Sequence, residues 1–220
     1  MAIFFDLDGT LVDTCQDIII AINTLCRELN KPEAHHQLLI DQVSFGVEKI
    51  LQVALNIKVA DLSESELIKL KNKFKELYKQ SKFKSSKVFP GLNLLITDLK
   101  KKGIKVAVVT NKPAEFAIPI LEQVNLINQM DCVVTSDMVL NPKPAPDLVL
   151  LAINKLKVDP KKCLFIGDAE QDIIAGNAAG VKTIAALFGY VGDINTALNW
   201  PANYFVNKST DLLSLINKIY

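Results

Sequence analysis

Residues 2–14 read AIFFDLDGTLVDT. The first part, Ala2–Leu7, is nearly all apolar and carries two phenylalanines. A run this short and this uniformly apolar reads as a strand buried on both faces, the kind found in a parallel sheet. Thr14 stands where a helix N-cap belongs, with Asp17 three residues on as a weaker form of the capping box. Ile18, Ile22, Leu25, Cys26 and Leu29 follow at helical spacing. Lys31-Pro32 closes that helix, because proline restricts the residue before it.

Outward from this segment the chain changes character once. Up to residue 86 it stays helical: Val47, Ile50, Leu51, Ala54 and Leu55 mark one face. Ser63 and Glu66 make a capping box ahead of Leu67, Leu70, Phe74, Leu77 and Tyr78. After Lys87 strands alternate with helices. Strand-like runs are Lys105–Thr110, Met130–Val134, Cys163–Ile166, Val181–Ala185 and Tyr204–Val206. Between them Leu92–Leu99, the stretch after Pro113, Pro146–Leu156, Gln171–Ala179 and Thr210–Ile219 read as helices, with Gly180 as a left-handed stop. Alternation of this kind means βαβ units and a parallel sheet. The expected organisation is one α/β core of residues 1–13 and 87–220, interrupted by an all-helical insertion at 14–86.

Composition narrows the function classes. With 220 residues and 50% hydrophobic content the chain can build a sizeable core. A net charge of +1 argues against a general nucleic-acid binder. No apolar run is long enough to span a membrane, which takes about 18 residues or more. The first residues lack a basic segment and meet acid at Asp6, so they do not read as a signal peptide, and a cytoplasmic location is expected. Cys15, Cys26, Cys132 and Cys163 form no CxxC pair and read as small buried hydrophobes in a reducing compartment. Of 25 basic residues only Arg27 is arginine, so bidentate guanidinium clamps on phosphate are almost unavailable.

In an open α/β sheet ligands bind beyond the carboxyl ends of the strands. Asp6, Asp8, Gly9 and Thr10 follow the first strand; Thr110, Asn111 and Lys112 end the second. Lys143 lies on a proline-rich loop past the third, and Gly167, Asp168 and Asp172 follow the fourth. Singly, each has a bland reading: Asp168 can cap a helix, and a loop lysine is usually solvated. Together, at equivalent strand ends, they are hard to explain as caps. Strand alternation would point Asp6 and Asp8 the same way, within reach of Asp168. Three crowded acids call for a cation, and oxygen ligands select a hard one such as Mg²⁺. Such an ion would keep Asp6 ionised as a nucleophile, with Asp8 free to act as general acid and base.

These residues resemble the haloacid dehalogenase superfamily of phosphatases. Asp6–Thr14 matches its DxDGTLxD[ST] signature; Val108-Val109-Thr110-Asn111-Lys112 is similar to its second motif. Lys143-Pro144-Ala145-Pro146-Asp147 matches the KPxPD loop, and Gly167–Asp172 the GDxxxD motif. The resemblance implies a Rossmann-like core with an inserted helical cap. It implies that Asp6 attacks phosphorus, that Asp8 protonates the leaving alcohol and activates water, and that Lys143 neutralises charge. It also implies Mg²⁺ held by Asp6, the Asp8 carbonyl and Asp168, steadied by Asp172. Thr110 and the Asn111 amide would bind phosphoryl oxygens, and Gly9 would let the chain turn close to them. Residues 14–86 correspond to the family's cap, hinged near Asp13–Thr14 and Lys87–Pro90. Ser44-Phe45-Gly46 resembles the cap loop that touches substrate, or is an ordinary helix start.

The expected partner is a small-molecule phosphate ester. Among capped members the chain looks most like bacterial phosphoglycolate phosphatases. The N-acetylmuramic acid 6-phosphate phosphatases are also close, sharing the run Val109–Ile120 and the segment Phe188-Gly189-Tyr190. A phosphosugar mutase ranks lower, because it usually clamps a second phosphate with a cap arginine and only Arg27 exists. A dehalogenase would need neither Asp8 nor a magnesium site, and a non-catalytic regulator would have lost Asp6, Asp8, Lys143 or Asp168. The lysines at 69, 71, 73, 75, 79, 82, 84 and 87 read as a solvated surface, or as a device that steers anionic substrates. His35-His36 reads as a surface loop pair, since no third ligand is evident.

Overall fold

The computed structural model describes residues 1–40 and 42–219. Six parallel strands form one sheet: β1 (Ala2–Phe5), β4 (Lys105–Thr110), β5 (Cys132–Thr135), β6 (Cys163–Gly167), β7 (Lys182–Ala186) and β8 (Tyr204–Val206), in the order β5-β4-β1-β6-β7-β8. A separate two-stranded antiparallel ribbon pairs β2 (Val12–Asp13) with β3 (Lys87–Val88). Between β2 and β3 run four helices: α1 (Cys15–Glu28), α2 (His36–Ile40), α3 (Val47–Leu55) and α4 (Glu64–Gln80). The remaining helices are α5 (Leu92–Lys101), α6 (Ala114–Gln123), α7 (Asp147–Leu156), α8 (Glu170–Ala178), α9 (Ile194–Ala197) and α10 (Leu212–Ile219).

The reading of β1 as doubly buried holds in detail. Ile3 and Phe5 join one apolar cluster and Ala2 and Phe4 another, on opposite faces of the sheet. Val106 and Val108 alternate in the same way with Ala107 and Val109, as do Leu164 and Ile166 with Cys163 and Phe165. Helices α7 and α8 cover one face through Leu148, Val149, Ala152 and Ala175. Helices α5, α6 and α10 cover the other through Leu92, Leu95, Phe116, Ile120 and Leu212. That second cluster continues without a break into Ile18, Ile22, Leu25, Leu51, Phe74 and Leu77 of the inserted helices.

Several local expectations need correction. The first strand stops at Phe5, before the acids begin. Helix α1 ends at Glu28, with Asn30 left-handed at φ 53°, so it stops ahead of Lys31-Pro32. Thr14 provides no side-chain cap to α1. Its hydroxyl goes to Asp8, and the Asp17 carboxylate accepts from Ser85 N–H at 3.1 Å and Ser86 Oγ at 2.8 Å. Thr14 thus holds the turn after β1, and Asp17 ties the two chain crossings together, instead of capping the helix. His36 begins α2 instead of lying in a loop. By contrast, Ser63 and Glu66 form the reciprocal capping box on α4. Cys15, Cys26 and Cys163 are buried and Cys132 half-buried, all unpaired. Burial pushes the Cys15 thiol up to about 12 and the Cys132 thiol to about 11, so both are inert at neutral pH.

Candidate active site

Strands β4, β1 and β6 lie side by side, and their carboxyl ends carry the polar residues. Asp6 leaves β1 directly, with its N–H still bonded to the Ile166 carbonyl at 2.9 Å. Thr110 ends β4 and Asp168 follows β6. The chain then turns sharply: Gly9 takes φ +79°, and its N–H donates to the Val12 carbonyl at 3.0 Å. A Cβ on Gly9 would lie 2.2 Å from Asp168 Oδ2, so both conformation and close approach require glycine.

Lys143 is 4% exposed and reaches in from the loop before α7. Its Nζ donates to Asp6 Oδ1 at 2.7 Å, to Asp172 Oδ1 at 2.6 Å and to the Val109 carbonyl at 3.2 Å. Burial alone would favour the neutral amine, but Asp172 and Asp6 outweigh it and hold the lysine charged. Asp168 accepts from Thr10 Oγ1 at 2.7 Å and from the Tyr190 N–H at 2.8 Å. Asp172 accepts from the Ala169 N–H at 3.0 Å.

Carboxylate oxygens of Asp6, Asp168 and Asp172 all lie within 4.8 Å of one another. Burial pushes Asp6 up to about 6 from its ordinary 3.8; Lys143 opposes the rise, and Asp172 and Asp8 add to it. Burial likewise raises Asp168, followed by repulsion from Asp6 and Asp172. Three buried acids against one lysine leave excess negative charge, and every donor is oxygen. That chemistry fits a divalent cation. Asp172 belongs to the cluster itself here.

Asp8 is arranged differently. Strand alternation does not extend to Asp8, because the strand ends at Phe5 and Asp8 sits in the turn, bridged to Val12. Its carboxylate is held by the Thr14 hydroxyl and by Lys112 Nζ at 2.7 and 2.9 Å. Lys112 is half-buried; Asp8 and the Tyr78 phenol overcome the burial penalty and keep it charged. Its Nζ stands 5.0 Å from the centre of the Tyr78 ring. The Asn111 side chain is spent on the lysine loop. It donates to the Lys143 carbonyl at 2.9 Å and accepts from the Lys143 N–H at 2.9 Å.

The inserted helices close this region from one side. Ser44 and Phe45 lie in a single 3-10 turn that ends at Gly46, φ +86°. Ser44 Oγ is 3.5 Å from Asp168 Oδ2, and the Ser44 carbonyl accepts from Gln171 Nε2 at 2.9 Å. Phe45 is 72% exposed yet lines a cavity of about 250 Å³ whose floor holds Asp6, Asp8, Thr110 and Lys143. Phe74, Tyr78 and Phe116 form its apolar wall. Arg27 lies elsewhere, exposed and paired with Glu33 at 3.1 Å. Lys71 pairs with Glu48, Lys73 with Glu28 and Glu76, and Lys75 and Lys79 both with Glu115, which agrees with a solvated surface.

Of the residues expected from sequence, Asp6, Asp8, Lys143, Thr110, Asn111 and the 44–46 turn line one cavity, Asp168 and Asp172 cluster with Asp6 beside it, and Gly9 packs against Asp168. Sequence reading assigned no part to Lys112, Gln171, Tyr78 or Tyr190. For Lys112 the adjacent Asn111 was a usable signal; for the others no local pattern marked the residue.

A family model described as haloacid dehalogenase-like hydrolase matches residues 3–186. An N-acetylmuramic acid 6-phosphate phosphatase of Pseudomonas putida (strain KT2440) is 33% identical over 216 residues, 98% of this chain and 96% of its own. A phosphoglycolate phosphatase of Aquifex aeolicus (strain VF5) is also 33% identical, covering 98% of this chain and 96% of its own. The crystal structure of a predicted phosphoglycolate phosphatase from Haemophilus somnus 129PT superposes with a TM-score of 0.87 at 28% identity, covering 98% and 97% of the two chains. With the four motif segments gathered at the carboxyl ends of neighbouring strands, the chain belongs to the haloacid dehalogenase-like hydrolase family and is an enzyme of the phosphoric monoester hydrolase class.

Proposed function

We propose that the chain hydrolyses a small phosphorylated metabolite through an aspartyl-phosphate, with Mg²⁺ as its cofactor. The observation that carries this reading is the Asp6–Lys143–Asp172 contact beside Asp168, at the floor of a cavity that also holds Asp8. Asp6 Oδ attacks phosphorus, the bond from phosphorus to the ester oxygen breaks, and Asp8 gives its proton to the departing alkoxide. Asp8 then takes a proton from water, whose oxygen attacks the acyl phosphate and releases inorganic phosphate. Lys143, Thr110 and the Asn111 main-chain N–H stabilise the charge that spreads over the phosphoryl oxygens. The Asp6 and Asp168 carboxylates and the Asp8 carbonyl, steadied by Asp172, would hold Mg²⁺, which would supply further neutralisation of that charge.

Residues 14–86 act as a cap over this chemistry, with residues 1–13 and 87–220 as the core. Ser44, Phe45 and Gly46 face the leaving group, and the Gln171–Ser44 bond helps hold the cap down. Phosphoglycolate is the first substrate reading. N-acetylmuramic acid 6-phosphate is the second, supported by the equal identity of relatives named for each activity and by the aromatic wall of the cavity. Both leaving groups carry a carboxylate; of the lysines lining the cavity, Lys112 is engaged by Asp8 and Lys143 by Asp6 and Asp172, which leaves Lys75, in an exposed pair with Glu115, as its partner. The exposed position of Arg27 weighs against a mutase. No helix is long and apolar enough to cross a membrane among the described residues, consistent with action in the cytoplasm.

Purified protein should release phosphate from p-nitrophenyl phosphate with Mg²⁺ and not with a chelator, and Asp6→Asn should abolish release. Retained turnover in that variant refutes the mechanism. Values of kcat/KM over a panel holding phosphoglycolate, N-acetylmuramic acid 6-phosphate and other sugar phosphates decide the substrate.

A further inference from the structure

Tyr190 lies in the turn after β7, outside all four motif segments, and is 6% exposed. Its phenolic oxygen accepts from the N–H groups of Thr14 at 2.7 Å and Cys15 at 2.9 Å, and donates to Asp13 Oδ1 at 2.7 Å. One donated and two accepted bonds use the full capacity of a phenol. Its main-chain N–H donates to Asp168 Oδ2 at 2.8 Å. The preceding residue packs on the same turn: a Cβ at Gly189 would lie 2.3 Å from the Gly9 carbonyl oxygen. One residue therefore holds both a carboxylate of the acidic cluster and the point where the chain passes from the sheet into α1.

That point lacks its ordinary fastening. Helix α1 has no side-chain cap from Thr14, whose hydroxyl donates to Asp8 instead. The Thr14 main chain is fixed by Tyr190, and Thr14 in turn fixes Asp8. We propose that Tyr190 is a positioning residue for proton transfer, acting through Thr14 to set the Asp8 carboxyl against the leaving oxygen. This rests on Asp8 being the acid and base of the reaction proposed above. An alkoxide must receive a proton as it departs, whereas p-nitrophenolate is a weak base and leaves with little help. Misplacing Asp8 therefore costs most on alkyl esters.

Tyr190→Phe keeps the ring and removes the three bonds. Its kcat/KM on glycerol 2-phosphate, which covers departure of the leaving group and not the later water attack that Asp8 also serves, should fall about tenfold, a part of the roughly 10²–10⁴-fold that a positioned acid supplies. On p-nitrophenyl phosphate the fall should be about twofold. Thr14→Val should give the same selective loss, which keeps the test open if Tyr190→Phe folds poorly. In the Thr14→Val background, adding Tyr190→Phe should change the alkyl rate by less than about twofold, because both act through one carboxylate. A merely structural role predicts equal losses on the two esters and multiplying losses in the double variant; either result overturns the inference. A wild-type protein that releases phosphate from neither ester overturns the phosphatase assignment itself, a distinct result.

Discussion

Consider the chain stripped of metal by a chelator, and the single change Asp6→Asn. Asp6 is pushed from its ordinary 3.8 to about 6, chiefly by burial, even though Lys143 donates to it at 2.7 Å. The folded state therefore binds a proton more tightly than the unfolded chain does. Stability from this group is fully present below pH 3.8 and is lost as pH rises through about 6. The shift, 6 less 3.8, corresponds to about 3 kcal/mol at 1.36 kcal/mol per unit, as an order of magnitude. Asn cannot ionise and mimics the protonated acid. Without metal, Asp6→Asn should thus match the wild type near pH 4 and exceed it by up to about 3 kcal/mol at pH 7.5. For a chain of this length that is a rise in Tm of roughly 6–12 °C. Adding Mg²⁺ at 100 times its Kd should return about 2.7 kcal/mol to the wild type and less to the variant, narrowing the gap. Urea melts at the two pH values, with and without Mg²⁺, make the measurement. A variant less stable at both pH values, or a gap independent of pH, would show that burial does not hold Asp6 against its ionisation.

Other changes have equally definite outcomes. Gly9→Ala must fit a Cβ 2.2 Å from Asp168 Oδ2 in a backbone with φ +79°; it should lower stability by about 1–3 kcal/mol and raise the Mg²⁺ concentration for half-activation. Asp17→Ala removes the acceptor shared by Ser85 N–H and Ser86 Oγ, which are buried or half-buried; a loss of about 2 kcal/mol in a urea melt is expected. Gln171→Leu cuts the tether to the Ser44 carbonyl while keeping volume; KM for the physiological ester should rise several-fold, with a smaller change for p-nitrophenyl phosphate, and an unchanged KM ratio would count against a cap latch.

The sheet was legible because its evidence is local. A strand buried on both faces must be apolar at every position, and Ala2–Phe5, Val106–Val109 and Leu164–Ile166 are. Their order in the sheet then gathers Asp6, Thr110 and Asp168 without any further specification. Helix ends were harder. Asn30 turns left-handed ahead of Pro32, so α1 stops on a residue that can adopt that conformation instead of on the proline that follows. The 44–46 turn could be placed at the cavity only through family resemblance, since its contacts are with residues more than a hundred positions away.

The misreading of Thr14 shows where sequence logic stops. A threonine ahead of an amphipathic run, with an acid three residues later, satisfies the local pattern of a cap. The pattern says which groups could bond, and competing partners decide which do. Thr14 meets Asp8 because the turn at Gly9 folds the chain back on itself, and Asp17 meets Ser85 and Ser86 because β2 pairs with β3. The Asp8 partner exists only once that turn has closed, and the Ser85 and Ser86 partners only once the ribbon has brought the two crossings together. The donors left over at the start of α1 then find Tyr190, which is 175 and 176 residues away in the chain. Hydrogen-bonding groups that a helix would ordinarily use for itself are here bonded to the core, so a displacement of the start of α1 would reach Asp8 through Thr14.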